Sequence, residues 1–381
     1  MKNKVGIISI NKYGSLNYGT VLHSFAFQTY LNKRNIDSVI IDYIDRYFKY
    51  LIPHFPVIGL IKNNRGLRRL KGFIMGILIQ PSADIKYKKI LKFCNKNYKM
   101  VNNNDRPFTQ IYFEKMGKIS SFDFDTIVCE SDVIWSPKDN CGFDRAFFAD
   151  YECFKSMKKV AYSPSISNVI LTKEQEQDFK KLVINFDFLS ARENETAEYI
   201  RNLTGKECKH VLDPTLLLDE QDYAPIIAKI KEKKKYLLCY NLHNDKLMIS
   251  KARKLAKKMN IEFIEVNMNM NIRNKIYHRT LITLGIEEWL GYFKNAEFIV
   301  TNGFHGMCFS IIFKKDFYVY LRRGNLKFNL VYKLGLESRF INEKNIEQEL
   351  ENIPIDYDSV YEKLNAFRKI SEDYINEAII N

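Results

Sequence analysis

The run Val5-Gly6-Ile7-Ile8-Ser9-Ile10-Asn11-Lys12-Tyr13-Gly14-Ser15-Leu16-Asn17-Tyr18-Gly19-Thr20 decides the fold class. Its first six residues are mostly apolar and β-branched, which predicts a strand over Val5–Ile10. Asn11–Gly19 is rich in Gly, Asn and Ser and predicts a loop. From Thr20 onward Val21, Leu22, Phe25, Ala26 and Leu31 recur on one helical face. A second β-rich run follows at Ser38–Tyr43. Strand, loop, helix, strand is how a parallel α/β sheet begins, because parallel strands need a crossover between them.

The same rhythm returns further along. Strands are predicted at Thr126–Cys129, Lys158–Tyr162, Phe188–Ala191 and Lys209–Leu212, with helices at Lys173–Ile184 and Glu193–Asn202. Asp213-Pro214 stops the last of these strands, since proline cannot donate to a ladder. Residues 219–235 turn acidic and then lysine-rich, as a linker would. A second series follows: strands at Tyr236–Tyr240, Ile261–Val266, Glu297–Thr301 and Phe317–Leu321. Its helices are Lys246–Met259, Glu287–Phe293 and His305–Phe313, and a last helix runs over about 359–379. The expected organisation is two Rossmann-like domains, 1–218 and 219–355, and a C-terminal helix in 356–381. Residues 44–120 form a helical insertion in the first.

Length and composition agree with this reading. The chain has 381 residues, too many for one ordinary core, and is 46% hydrophobic and 27% charged. No apolar run approaches the roughly 18–20 residues that cross a bilayer. The amino terminus leads straight into a strand-like run with no cleavage site, which argues against a signal peptide. Seven scattered cysteines without a CxxC pair read as reduced thiols of a cytoplasmic protein. The net charge of +14 favours anionic partners. With neither zinc-knuckle spacing nor an aromatic RNA-binding signature, nucleic acid is not the expected partner. Between residues 62 and 79, Arg65, Arg68, Arg69 and the apolar Phe73–Ile79 suit either a packed insertion or peripheral contact with an anionic membrane.

Candidate site residues cluster where predicted strands end, the place where open α/β sheets bind ligands. Tyr13, Asn17, Tyr18 and Gly19 lie at the first strand-to-helix turn, where free N–H groups and the helix dipole attract anions or hydroxyls. The absence of Lys-Ser/Thr after Gly19 excludes a Walker A loop. Ser131, Asp132 and Trp135 follow the strand ending at Cys129; Trp135 either offers a sugar a flat face or anchors a loop. Arg192 ends another strand and presents a fork suited to carboxylate or phosphate, unless Glu193 pairs with it. Thr301-Asn302-Gly303-Phe304-His305-Gly306 places a histidine near a helix N-terminus, positioned to transfer a proton. Arg322, Arg323 and Lys327 lie on the same predicted sheet edge. Asp123-Phe124-Asp125 precedes its strand instead of ending one, which argues against a metal-binding DxD motif. The other histidines lack ligand spacing, so neither a metal nor a cofactor is expected.

Taken in order, Asn17-Tyr-Gly-Thr-Val-Leu, Ser131-Asp-Val-Ile-Trp, Ala191-Arg-Glu, Val211-Leu-Asp-Pro-Thr-Leu-Leu-Leu and Val300-Thr-Asn-Gly-Phe-His-Gly resemble the polysaccharide pyruvyl transferase family over about residues 5–340. The resemblance implies a fold like the GT-B glycosyltransferases, with two Rossmann-like domains about a cleft. It also implies transfer of the pyruvyl group of phosphoenolpyruvate to a sugar of a surface polysaccharide or its lipid-linked precursor, as a cyclic ketal. The chain departs from the family pattern at Glu130, where glycine is usual, and at Gly303, where some members carry arginine. On this reading His305 and Asp132 are catalytic. Arg192, Arg322, Arg323, Lys327 and Gly306 bind the donor, and Tyr13, Asn17, Tyr18, Gly19, Ser131 and Trp135 line the acceptor side. The expected location is the cytoplasm, at the inner face of the membrane if the 62–79 segment touches lipid. The competing reading is a nucleotide-sugar glycosyltransferase of the same architecture.

Overall fold

Thirteen described strands form two separate, entirely parallel sheets in a computed structural model of the chain, which describes residues 4–12, 16–45, 67–116, 122–137, 142–167, 170–268, 278–321 and 330–380. The first sheet holds β1 (Lys4–Ile8), β2 (Asp37–Ile41), β3 (Met100–Val101), β4 (Thr126–Glu130), β5 (Lys158–Tyr162), β6 (Phe188–Ala191) and β7 (Lys209–His210), in the order β3-β2-β1-β4-β5-β6-β7. The second holds β8 (Tyr236–Asn241), β9 (Glu262–Asn267), β10 (Arg279–Leu281), β11 (Phe298–Thr301), β12 (Asp316–Tyr320) and β13 (Phe340–Ile341), in the order β10-β9-β8-β11-β12-β13. In each sheet the order reverses once, between β1 and β4 and between β8 and β11. A crevice opens at the carboxyl ends of the strands at such a point.

The first helix, α1 (Tyr18–Lys33), joins the two halves. All but three of its sixteen residues are buried, from Tyr18 to Leu31. A helix buried on every side belongs to a core and not to a surface, and its buried Thr20, His23, Ser24 and Gln28 must find polar partners there. Asn17 caps it, its side chain accepting from the Gly19 N–H at 3.0 Å. Tyr18 stacks on Trp289 of the second half at 5.3 Å and donates its hydroxyl to the Leu284 carbonyl. One apolar cluster therefore runs from β1 and α1 through Trp289 and Phe309 to the second sheet.

The last helix, Tyr357–Ile375, reaches back to the first sheet. Ser371 Oγ accepts from the Leu212 N–H at 2.9 Å, and Tyr374 donates to the Ala161 carbonyl at 2.8 Å. Arg368 donates to the carbonyls of Leu216 and Leu218. The insertion contains a 31-residue helix, Leu67–Asn97, with Pro81 inside it. No described helix is long and apolar enough to cross a membrane. The six described cysteines are buried and unpaired. Asp123 and Asp125 meet the Lys4 ammonium and N–H at the amino end of β1, away from both crevices.

Candidate functional site

After β4 the chain bends through two consecutive left-handed residues, Ser131 (φ 50°) and Asp132 (φ 54°). Neither is glycine, and such backbone costs about 1–3 kcal/mol per residue unless its surroundings hold it. Here they do. The Ser131 N–H donates to the Tyr162 carbonyl at 2.8 Å, and the Asp132 carbonyl accepts from the Ser165 N–H at 2.8 Å. The bend returns Asp132 toward α1, where its Oδ2 accepts from Thr20 Oγ1 at 3.0 Å.

From the second half, Gly303 opens the helix Phe304–Ile312, and His305 occupies its first turn. The imidazole lies against Gly19, in the first turn of α1: a Cβ there would fall 1.9 Å from His305 Nδ1. Two helix amino ends thus meet at one point, and both carry partial positive charge. Gly306 serves a different contact, since a Cβ on it would lie 2.3 Å from Thr301 Oγ1. It allows the helix to pack on its own preceding strand.

Asp213, fully buried after β7, ties the two sides together. Its Oδ2 accepts from Ser131 Oγ at 3.2 Å and from Arg192 Nη1 at 3.4 Å, and lies 3.5 Å from His305 Nε2. Burial raises an acid's pKa, but the charge and hydrogen bond of His305, then Arg192 and His23, hold Asp213 below the usual carboxylate range. Arg192 is itself buried. Its Nε donates to Glu193 at 3.0 Å, and its guanidinium lies 4.7 Å from the centre of the Phe304 ring.

A second imidazole completes the cluster. His23, on α1 one turn beyond Thr20, is fully buried and meets Glu130 with Nδ1 at 2.9 and 3.1 Å. Ser24 Oγ donates to the same carboxylate at 3.1 Å. His23 Nε2 lies 3.6 Å from Asp132 Oδ2, and its ring stacks near His305 with centroids 6.2 Å apart. Burial would lower the His23 pKa, but the charge of Glu130, the facing Asp132 carboxylate and the hydrogen bond that His23 donates to Glu130 outweigh it and push it up to about 10. Asp132 responds in kind. Burial raises it, while the close approach and charge of His23, with Arg192 and His305, hold it well below the usual carboxylate range.

The structure thus brings Asp132, Ser131, Arg192, Gly19 and His305 together from four points in the chain. Two expectations need correction. Trp135 is fully buried, donates Nε1–H to the Phe147 carbonyl and packs on Phe148, Phe179 and Phe186, so it anchors a loop and offers no face to a sugar. Tyr18 is also fully buried, in the contact between the halves. Tyr13, Arg322, Arg323 and Lys327 lie outside the described residues. Sequence reasoning missed His23, Glu130 and Asp213. The three-residue spacing of Thr20 and His23 on one helix face was the available signal for the first.

Against known proteins, the polysaccharide pyruvyl transferase family model matches residues 17–322. No curated protein matches the chain. Among solved structures, the UDP-GlcNAc 2-epimerase of Methanocaldococcus jannaschii, in complex with UDP-GlcNAc and UDP, is similar at 12% identity and a TM-score of 0.50, covering 99% of this chain and 100% of that one. The S. aureus MnaA–UDP structure is similar at 11% identity and a TM-score of 0.49, covering 98% and 91%. The glycosyltransferase SnogD from Streptomyces nogalater gives 9% and 0.40, covering 98% and 96%. At these identities the likeness concerns the fold, which is the GT-B-like arrangement of two parallel α/β sheets.

Proposed function

Because the chain belongs to the polysaccharide pyruvyl transferase family, we propose that it moves the pyruvyl group of phosphoenolpyruvate onto a sugar of a surface polysaccharide or its lipid-linked precursor. The observation that carries this reading is the meeting of His305 with Gly19 at two helix amino ends, beside Asp132, Asp213 and Arg192. An acid, a carboxylate base and converging positive dipoles are what ketal formation from an anionic enol ester requires.

The reaction balances as follows. His305 delivers a proton to C3 of phosphoenolpyruvate, and C2 becomes electrophilic. One sugar hydroxyl forms a bond to C2, the C2–O bond to phosphate breaks with its electron pair on phosphate, and a second hydroxyl closes the ketal. One hydroxyl proton replaces that placed on C3; the other leaves on phosphate. A hydroxyl attacking an oxocarbenium-like carbon becomes acidic as the bond forms, so Asp132 can accept its proton although it is a weak base. Arg192 keeps its charge while donating to Glu193 and Asp213. Its part in donor binding is to set the local field, and direct contacts fall to Arg322, Arg323 and Lys327.

The membrane enters through the insertion. Along the helix Leu67–Asn97, Ile74, Ile77 and Leu78 are 51%, 52% and 57% exposed at a spacing that lines one face. The same helix carries Arg68 and Arg69 in its sequence. An exposed apolar stripe on a helix whose sequence also carries arginines suits an anionic bilayer surface, where a lipid-linked acceptor would lie.

Thermal unfolding with added ligand tests the donor. A ligand at about 100 times its Kd stabilises by about 2.7 kcal/mol. Phosphoenolpyruvate is expected to raise the midpoint of the wild type and to raise that of His305→Ala less. A rise with UDP- or GDP-sugars alone would replace this reading with glycosyl transfer.

A further inference from the structure

We infer that His23, held from behind by Glu130, is a positioning residue of this site that fixes Asp132 as the carboxylate facing the acceptor. The inference rests on the proposed pyruvyl transfer and adds a role to a residue pair outside the family motifs.

The geometry carries it. Glu130 and His23 have fully buried side chains, at the end of β4 and on α1. Glu130 accepts from His23 Nδ1 and Ser24 Oγ, which leaves the imidazole one direction to face, toward Asp132. Among the described residues, the buried His23 Nε2 has no hydrogen-bond partner within bonding distance, and Asp132 Oδ2 stands 3.6 Å away. Asp132 is 14% exposed where Glu130 and His23 are fully buried, so it is the member of the Glu130–His23–Asp132 row nearest to solvent. Among the described residues, the other charged groups that bear on the row are His305, Arg192 and Asp213, all in the site already described.

This arrangement explains the departure at Glu130. A carboxylate in place of glycine beside an anionic donor would repel it. Here that charge is turned inward and matched by His23, so it acts on Asp132 and not on the donor. A neutral His23 could not hold Asp132 in place as an ion pair, and Asp132 would take up a proton at higher pH. The first hydroxyl would then lack its acceptor.

Two arms test this. Phosphate release from phosphoenolpyruvate with a panel of p-nitrophenyl hexosides is measured against pH for the wild type, Glu130→Gln, and the paired variant His23→Leu/Glu130→Ala. Replacing both members of a buried pair by apolar groups is tolerated better than removing one, so the paired variant keeps folding separate from function. We expect kcat to fall roughly 10–100-fold, less than the about 10²–10⁴ of a general acid or base. The KM for phosphoenolpyruvate stays within about threefold, and the acid limb of the pH profile moves upward. A folded paired variant with wild-type kcat and pH profile overturns the inference. In the second arm, ¹⁵N NMR of histidine-labelled protein reads the His23 ring directly: doubly protonated at pH 8.5 in the wild type, and not in Glu130→Gln. A neutral ring in the wild type overturns the inference whether or not any hexoside is turned over. Absence of phosphate release with a charged His23 overturns the pyruvyl transfer reading alone.

Discussion

Gly19 and His305, each the second residue of its helix, touch so closely that the imidazole occupies the space of a Gly19 side chain. The two residues come from opposite halves of the chain. Adding a methyl group at Gly19 forces the halves apart or the ring aside, and overpacking of this kind costs about 1–3 kcal/mol. Gly19→Ala is therefore expected to lower the urea midpoint and abolish phosphate release. Adding His305→Ala should restore most of the stability and none of the activity. A fully stable, fully active Gly19→Ala would show that the contact is not required.

Stability should decline on both flanks of neutral pH, for separate reasons. His23 is raised in the folded state, to about 10, so its contribution is complete below its ordinary value of about 6.5 and is lost as pH rises toward 10. Asp132 and Asp213 are lowered, so their contributions are complete above about 3.9 and are lost on acidification. Comparing urea midpoints at pH 7 and 10 for the wild type and His23→Leu/Glu130→Ala isolates the alkaline flank. The variant should lose less stability over that interval.

Arg192→Ala removes the guanidinium that the buried Glu193 and Asp213 share, leaving Asp213 with His305 alone at close range. Breaking a buried pair from one side costs about 3–5 kcal/mol. The unfolding free energy should drop by that amount, lowering the midpoint even with no donor present, and Arg192→Lys should recover only part of it because an ammonium lacks the planar fork that reaches both carboxylates. A midpoint unchanged in Arg192→Ala would mean the ion pairs contribute nothing.

Trp135→Ala removes a buried ring stacked among three phenylalanines, at a cost of about 3–5 kcal/mol. Its acceptor KM, measured at a temperature where the variant is folded, should match the wild type. A raised KM would return Trp135 to the acceptor side.

Changing Ile74, Ile77 and Leu78 together to serine should abolish flotation with vesicles rich in phosphatidylglycerol while leaving the unfolding midpoint unchanged, since these side chains are exposed. Equal flotation of the variant would sink the membrane contact.

Where a strand is long and apolar, its position could be read from the residues alone: Lys158–Tyr162 and Phe188–Ala191 appear with the predicted bounds. The strands that could not be read, β3, β10 and β13, are two or three residues long and pair at sheet edges. They owe their existence to a neighbour's ladder and not to any periodic pattern. The same division holds in the site. His305 and Asp132 stand beside turns that sequence can mark. Asp213 looked like punctuation before a proline, and only the fold reveals that Ser131, Arg192 and His305 converge on it. Trp135 could be read either way because a ring after a strand end can face a ligand or anchor the loop, and the side chain turns inward.

The return of the helix Tyr357–Ile375 to the first sheet has a mechanical result. The polypeptide crosses between its halves twice, once through residues 219–235 and once before this helix. Severing the chain at either crossing would therefore leave the halves joined by the other, and by the apolar cluster they share, so the contact of Gly19 with His305 does not depend on one connection alone.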